Sequence, residues 1–273
     1  MHANDASGSA CPPPPEAHHG SYCWRVVAAS VCGTGHQKRG QPCQDAYYWR
    51  VLPDGGLVAA VADGASSAAL GEVGARIAAW TAAATVCLYQ QKAPWPEDED
   101  AWRLCLTEAI TTARVTVAAE AIARQVAIRE LATTLILVVA TSALVAVVQV
   151  GDGAVVVGDG NGNLVSLTVP QGGEYANETT FLISPHALAT AQLHLWRGTP
   201  VYLAAFSDGL QWLGLKMPAG TPHGPFFWPL FHFMARVTQA QEAQTQIEAL
   251  LRSQRVSART DDDITLVLAT LLR

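Results

Sequence analysis

The chain has 273 residues, half of them hydrophobic and 15% charged, and a formal charge of −6 from 23 acidic and 17 basic side chains. This composition supports a sizeable core and excludes a mostly disordered chain. No long basic run occurs, which excludes nucleic acid as the main partner, although cations could bridge an acidic chain to a phosphorylated one.

Residues 1–20 are small, polar and proline-rich, with Pro12 to Pro15 in succession. They read as an extended lead, with His2, His18 and His19 solvated, ahead of one domain over residues 21–273. The lead lacks the basic, apolar and cleavage regions of a secretory signal. Tyr22 to Val31 reads as a first strand and Gly33 to Asp45 as a polar, glycine-rich loop. Ala46 to Leu52 is a second strand, Pro53-Asp54-Gly55-Gly56 a tight turn, and Leu57 to Ala62 a third strand ending at Asp63. Two strands joined by four turn residues pair antiparallel, so Asp45 and Asp63 fall at the same end of the hairpin.

Gly71 to Gln91 is alanine-rich, and Val73, Ile77, Trp80, Ala84, Cys87 and Leu88 recur at helical spacing, predicting a long buried helix. After Pro94-Trp95-Pro96, the acidic residues Glu97 to Asp100 suit the start of a second helix, Asp98 to Gln125. Its apolar stripe is Trp102, Cys105, Leu106, Ala109, Ile110 and Ala113. The short link predicts an antiparallel helix pair on one sheet face.

Leu131 to Val150 has no charged residue and is long enough to span a membrane. Its polar residues Thr133, Thr134, Thr141, Ser142 and Gln149, its acidic flanks and its division at Ala140-Thr141-Ser142-Ala143 predict a buried hairpin instead. Thr133 to Val139, Ala143 to Val150, Ala154 to Gly158 and Asn163 to Leu167 read as strands. The turns Gly151-Asp152-Gly153 and Asp159 to Asn163 lack the regular acidic positions and terminal glutamate of a calcium loop. Thr179 to Ile183 reads as a short strand, Ser184 to Arg197 as irregular, and Val201 to Phe206 as a strand leading into Ser207-Asp208-Gly209. Gly214 to Pro225 reads as a surface segment, followed by helices over Phe226 to Val237 and Gln239 to Arg255 and a last strand, Ile264 to Leu271. This order is not a strict βαβα alternation and suits antiparallel sheets with helices outside.

Six cysteines, at positions 11, 23, 32, 43, 87 and 105, form no C-x-x-C pair, which argues against zinc and for thiols in a reducing cytoplasm. The chemistry gathers instead at acidic strand ends: Ala62-Asp63-Gly64, Phe206-Ser207-Asp208-Gly209 and Asp261-Asp262-Asp263 before Ile264. One Asp-Gly is usually only a turn. Two such pairs after apolar runs, with an acidic triplet before a third, point to a shared site. Oxygen-only donors suit magnesium or manganese, and two such ions can activate water against a phosphoryl group. No G-x-S-x-G elbow, C-x5-R loop or G-x-x-x-x-G-K-[ST] loop is present.

Gln44-Asp45, Ala62-Asp63-Gly64, Ala132-Thr133-Thr134-Leu135, Val150-Gly151-Asp152-Gly153, Phe206-Ser207-Asp208-Gly209 and Asp262-Asp263-Ile264-Thr265 follow one another in this order. Together they resemble the metal-dependent protein phosphatase 2C family. Gly33-Thr34-Gly35-His36, Pro42-Cys43-Gln44-Asp45 and Tyr175-Ala176-Asn177-Glu178-Thr179 resemble a bacterial branch of it.

The resemblance implies an α+β, four-layer α-β-β-α sandwich of two antiparallel sheets with helices outside. It implies hydrolysis of phosphoserine and phosphothreonine in cytoplasmic proteins, a cognate kinase or its substrates among them, by a monomer that uses two Mn²⁺ or Mg²⁺ ions. By motif position Asp63 bridges both ions and the Gly64 carbonyl binds one. Asp208 and Asp262 hold one ion and Asp45 lies by the other, with Asp63 and Asp208 the residues on which catalysis depends. Asp152 matches the position that, with Asp208, holds a third ion in bacterial members.

The family's phosphate-holding arginine lies five residues before Asp45, where this chain has Gly40, so Arg39, Lys38 or His36 would substitute. Lys38 and Arg39 also read as a solvated loop pair. Ala65 stands where eukaryotic members often carry a histidine, leaving protonation of the leaving group to water, His36 or His186. The displaced arginine leaves open a weakly catalytic regulatory module on the same fold, and hydrolysis of a small phosphorylated molecule is a third reading.

Overall fold

The computed structural model describes residues 22–170 and 179–272; the proline-rich lead and residues 175–178 of the Tyr175 to Thr179 motif lie outside them. The strands are β1 (Cys23–Val31), β2 (Asp45–Val51), β3 (Leu57–Asp63), β4 (Leu135–Ala140), β5 (Leu144–Val150) and β6 (Ala154–Asp159). They continue with β7 (Leu164–Thr168), β8 (Gln192–Arg197), β9 (Pro200–Phe206), a minor ribbon of β10 (Leu215–Lys216) and β11 (Thr221–Pro222), and β12 (Ile264–Leu272). One antiparallel sheet has the order β1-β12-β9-β6-β7 and the other β2-β3-β4-β5-β8.

Strands such as β3 are apolar throughout because both of their faces are covered. Leu57, Ala59 and Val61 join Trp24, Val138, Val157, Leu203 and Val267 in a core between the two sheets. Val58, Ala60 and Ala62 point the other way, onto helices α2 (Gly71–Lys92) and α3 (Glu99–Arg124). The outer face of the opposite sheet packs on the helices Gly224–Arg236 and Ala240–Leu251 through Phe227, Phe231, Met234 and Ile247. The layers therefore run helix, sheet, sheet, helix. The uncharged stretch 131–150 is the β4–β5 hairpin, with Val138 opposite Val147, and no helix among the described residues is long and apolar enough to cross a membrane.

Several local expectations are corrected. The loop after β1 contains a short helix, α1 (Thr34–Arg39). Thr179 to Ile183 forms no strand, while 184–197 holds a one-turn helix, Ala187–Thr190, and the edge strand β8. The segment 214–225 is not purely surface, since Gly214, Leu215 and Gly220 are buried around the β10–β11 ribbon. In α2, Trp80 and Leu88 are 59% and 52% exposed. Val73 and Cys87 are buried as expected, and the rest of the buried stripe is Ala75, Ala78, Ala79, Ala82, Ala83 and Val86, because small residues let the helix lie close to the sheet and α3. α3 keeps its expected stripe, and Asp98 caps it by accepting from the Ala101 N–H at 2.7 Å.

Candidate metal and phosphate site

Register brings the acidic strand ends together. Asp45 pairs directly with Asp63 across β2–β3. In the opposing sheet Phe206 of β9 lies opposite Leu266 of β12, so Asp208, just beyond one strand, and Asp262, just before the other, meet at one end. Ser207 ties the two sheets: its hydroxyl donates to Asp45 Oδ2 at 2.7 Å and accepts from the Thr265 N–H at 2.9 Å.

The Asp63 backbone is held by the threonine pair. The Thr134 N–H and the Thr133 hydroxyl donate to the Asp63 carbonyl, at 2.8 and 2.9 Å, and the Asp63 N–H donates to Thr134 Oγ1 at 3.0 Å. Gly64 follows in close backbone contact with α2, where a Cβ would stand 2.4 Å from the Gly71 carbonyl carbon. Only glycine fits there.

The acids perturb one another. Burial, with the charges of Asp263 and Asp208, lifts the Asp45 carboxyl to about 8 against the lowering hydrogen bond from Ser207. Burial and then Asp152 and Asp262 lift Asp208 to about 7. Asp63 is held well above the usual carboxylate range by burial and then by Asp45 and Asp208, and Asp262 is raised mainly by burial. Among the described residues, no lysine or arginine forms an ion pair with any of them.

Asp45 Oδ1 and Asp208 Oδ1 are buried with no hydrogen-bond partner, the condition that a cation relieves. The oxygen-only donor set fits a hard divalent ion. The acids are gathered rather than caged: among the described residues, no three His, Cys, Asp or Glu side chains already surround a common point. Asp63 and Asp208 lie close enough that each perturbs the other's carboxyl.

The Protein phosphatase 2C family model matches residues 32–252, more than half of the chain and inclusive of Asp45, Asp63, Asp152 and Asp208. The chain belongs to the protein phosphatase 2C family. Members of this protein phosphatase 2C class are serine/threonine protein phosphatases, and this chain is classed with those hydrolases. It is 37% identical over 252 residues to Serine/threonine-protein phosphatase 3 of Escherichia coli (strain K12), covering 90% of this chain and 98% of that protein. Its fold is similar to that of a serine/threonine phosphatase from Staphylococcus aureus, at TM-score 0.62 and 14% identity over 95% of this chain and 100% of the other. It is also similar to the catalytic domain of the phosphatase PstP in complex with two manganese ions, at TM-score 0.60 and 15% identity over 93% and 100%.

Within this phosphatase 2C fold the remaining expected residues fall in three places. Asp152 is half-buried, accepts from the Thr179 hydroxyl at 2.6 Å and adds its charge to Asp208. Lys38 and Arg39 are exposed on the last turn of α1, where Arg39 Nε donates to Gln41 Oε1 at 2.6 Å. Gly40 caps that helix at φ 65°, a conformation that disfavours any side-chain-bearing residue, so the cationic side chains sit one and two positions earlier.

His36 does not sit with them. It is 2% exposed, with Nδ1 2.9 Å from Asp263 Oδ2, and a ring enclosed in this way has no solvent-facing edge for a phosphate. His186, by contrast, is exposed. Sequence reasoning assigned no role to Ser207, Thr133, Thr134 or Asp263. The acidic triplet was visible, but the fact that its last member is the buried one, at 2% exposure, depends on contacts with residues more than two hundred positions away.

Proposed function

We propose that this protein is a metal-dependent serine/threonine phosphoprotein phosphatase. Asp45, Asp63, Asp208, Asp262 and the Gly64 carbonyl would hold two Mn²⁺ or Mg²⁺ ions, and Asp152 a third beside Asp208. The observation that carries this reading is the set of mutually repelling, buried and half-buried acids, two with buried, orphaned oxygens, at the ends of two facing sheets. Bound there, the ions would supply an activated water and neutralise phosphoryl charge.

The chain's own part is to hold geometry and exclude bulk water. Asp63, fixed by Thr133 and Thr134, presents its carboxylate between the two sheets. Ser207 orients Asp45 through Oδ2 and leaves Oδ1 available. Arg39, with Lys38, meets the substrate phosphate from the last turn of α1, where exposure lets long side chains adjust to a protein substrate. Ala65, only 6% exposed, carries no proton, so solvent protonates the departing serine or threonine.

Its substrates would be phosphorylated proteins of the cytoplasm, a cognate kinase or its substrates among them. Purified protein is expected to release phosphate from a phosphothreonine peptide with Mn²⁺ and to stop when the metal is chelated. Fully metal-loaded protein that releases none would favour the regulatory module instead. Faster turnover of small phosphate esters than of phosphopeptides would favour the small-molecule reading.

A further inference from the structure

We infer that Asp263 and His36 form a buried positioning pair that sets the geometry of the metal-holding acids. This inference rests on the metal-dependent reading above. Asp263 stands beside Asp262 but has a different fate. Its Oδ1 accepts from the Gly33 N–H at 2.7 Å, and its Oδ2 accepts from the Gln44 N–H at 2.6 Å and faces His36 Nδ1 at 2.9 Å. A carboxylate oxygen accepts, so Nδ1 is the ring nitrogen that carries the hydrogen. With both oxygens occupied by protein donors, Asp263 holds the chain together and leaves the metal to its neighbour.

The three donors come from the segments that must meet. Gln44 directly precedes Asp45, and its carbonyl accepts from the Gly64 N–H at 3.1 Å, next to Asp63. Gly33 and His36 belong to the start and middle of the short helix that carries Lys38 and Arg39. One side chain therefore joins the Asp45 strand, the Asp262 turn and the root of the cationic helix. The backbone leaves little slack around it. A Cβ at Gly33 would lie 2.2 Å from the Asp262 carbonyl, and one at Gly209, next to Asp208, 2.1 Å from the Asp263 carbonyl oxygen. In such a junction, a change of acceptor at Asp263 shifts Asp45 and Asp262 together.

Partners of this kind behind metal ligands set affinity by orienting the ligands, and their loss costs about 10–100-fold in metal affinity or activity. The test is calorimetric titration of Mn²⁺ into Asp263→Asn, His36→Asn and His36→Leu, well below each variant's melting temperature, with phosphopeptide kinetics alongside. Asp263→Asn replaces one accepting oxygen with an amide that opposes the donors facing it, and Mn²⁺ affinity is expected to fall about tenfold or more. His36→Asn retains an N–H near the Nδ1 position and is expected to stay near wild type, while His36→Leu falls with Asp263→Asn. Asp263→Asn with wild-type Mn²⁺ affinity overturns the pair. If Asp263→Asn does not fold, the histidine variants decide, and His36→Asn that matches His36→Leu in folding or affinity overturns it. Wild-type protein that binds no Mn²⁺ overturns the metal-dependent reading as well, a failure distinct from wild-type binding with unaltered variants.

Discussion

The acids at 45, 63, 208 and 262 stand on strand ends locked by register, hydroxyl hydrogen bonds and close glycine contacts, while Lys38 and Arg39 ride the last turn of a six-residue helix in solvent. The difference is one of cost and adjustability. Holding four carboxylates together raises their pKa values and leaves buried oxygens without partners, a strain tolerated only where the surrounding packing is rigid. The cationic side costs little, because exposed lysine and arginine stay hydrated and end a helix where their charge suits its dipole. On the proposed reading, a site built this way would fix the metals and leave the grip on the phosphate free to adapt to protein substrates.

The sharpest break in that contrast is Asp63→Asn. On the proposed reading Asp63 would touch the metals, and its loss should exceed the cost of losing a partner behind the ligands, so phosphate release is expected to fall by more than about a hundredfold. A phosphopeptide assay that found near-normal turnover would remove Asp63 from the acidic half. Next in size is Gly209→Ala, whose methyl group would collide with the Asp263 carbonyl oxygen. Overpacking against backbone is expected to cost about 2–3 kcal/mol of stability, read from urea unfolding. An unchanged midpoint would mean that the acidic junction has slack that its contacts do not suggest.

Arg39→Ala tests the other half. It should raise KM for a phosphopeptide about tenfold, leave Mn²⁺ affinity unchanged, and exceed Lys38→Ala, because only guanidinium offers a fork to phosphate. Equal effects of the two substitutions would reduce the basic side to unspecific charge.

The contrast also explains what could be read in the sequence. The strands, the α2–α3 pair and the end-to-end placement of Asp45 and Asp63 were legible because apolar runs, turn residues and strand ends are local signals. The orientation of α2 was not: periodicity pointed to Trp80 and Leu88, whereas alanine gave the closer packing. β8 was missed because an edge strand, Gln192–Arg197, carries only weak alternation. The burial of His36 and Asp263 was hidden because each is enclosed by the other across the whole chain. Glycine-rich spacing suggested a loop at 33–45, and only tertiary contact made part of it a helix whose interior histidine faces inward.

The smallest effect expected is also the one that separates the halves most cleanly by pH. In the metal-free protein the Asp45 and Asp208 carboxyls lie at about 8 and about 7, against an ordinary value of 3.8. Both are raised, so the folded state keeps protons that the unfolded chain has released. Their contribution to stability is therefore complete below about pH 4 and is lost as pH rises through about 7 to 8. Metal-free melting temperature should fall across this window, by about 2–4 °C for each kcal/mol lost. If these acids hold Mn²⁺ as proposed, it would bind them deprotonated, so the stabilisation it gives should grow over the same window. Asp45→Asn removes the titrating group and should flatten the metal-free slope while weakening the Mn²⁺ response. Arg39→Ala should leave both curves in place, since Arg39 is exposed and pairs with none of the acids. Melting curves at about pH 5 and about pH 8, with chelator and with Mn²⁺, make the comparison. An Mn²⁺ shift of equal size at both pH values would mean that the metal and the proton do not compete for these carboxylates, and the acidic half would lose its role as a metal site.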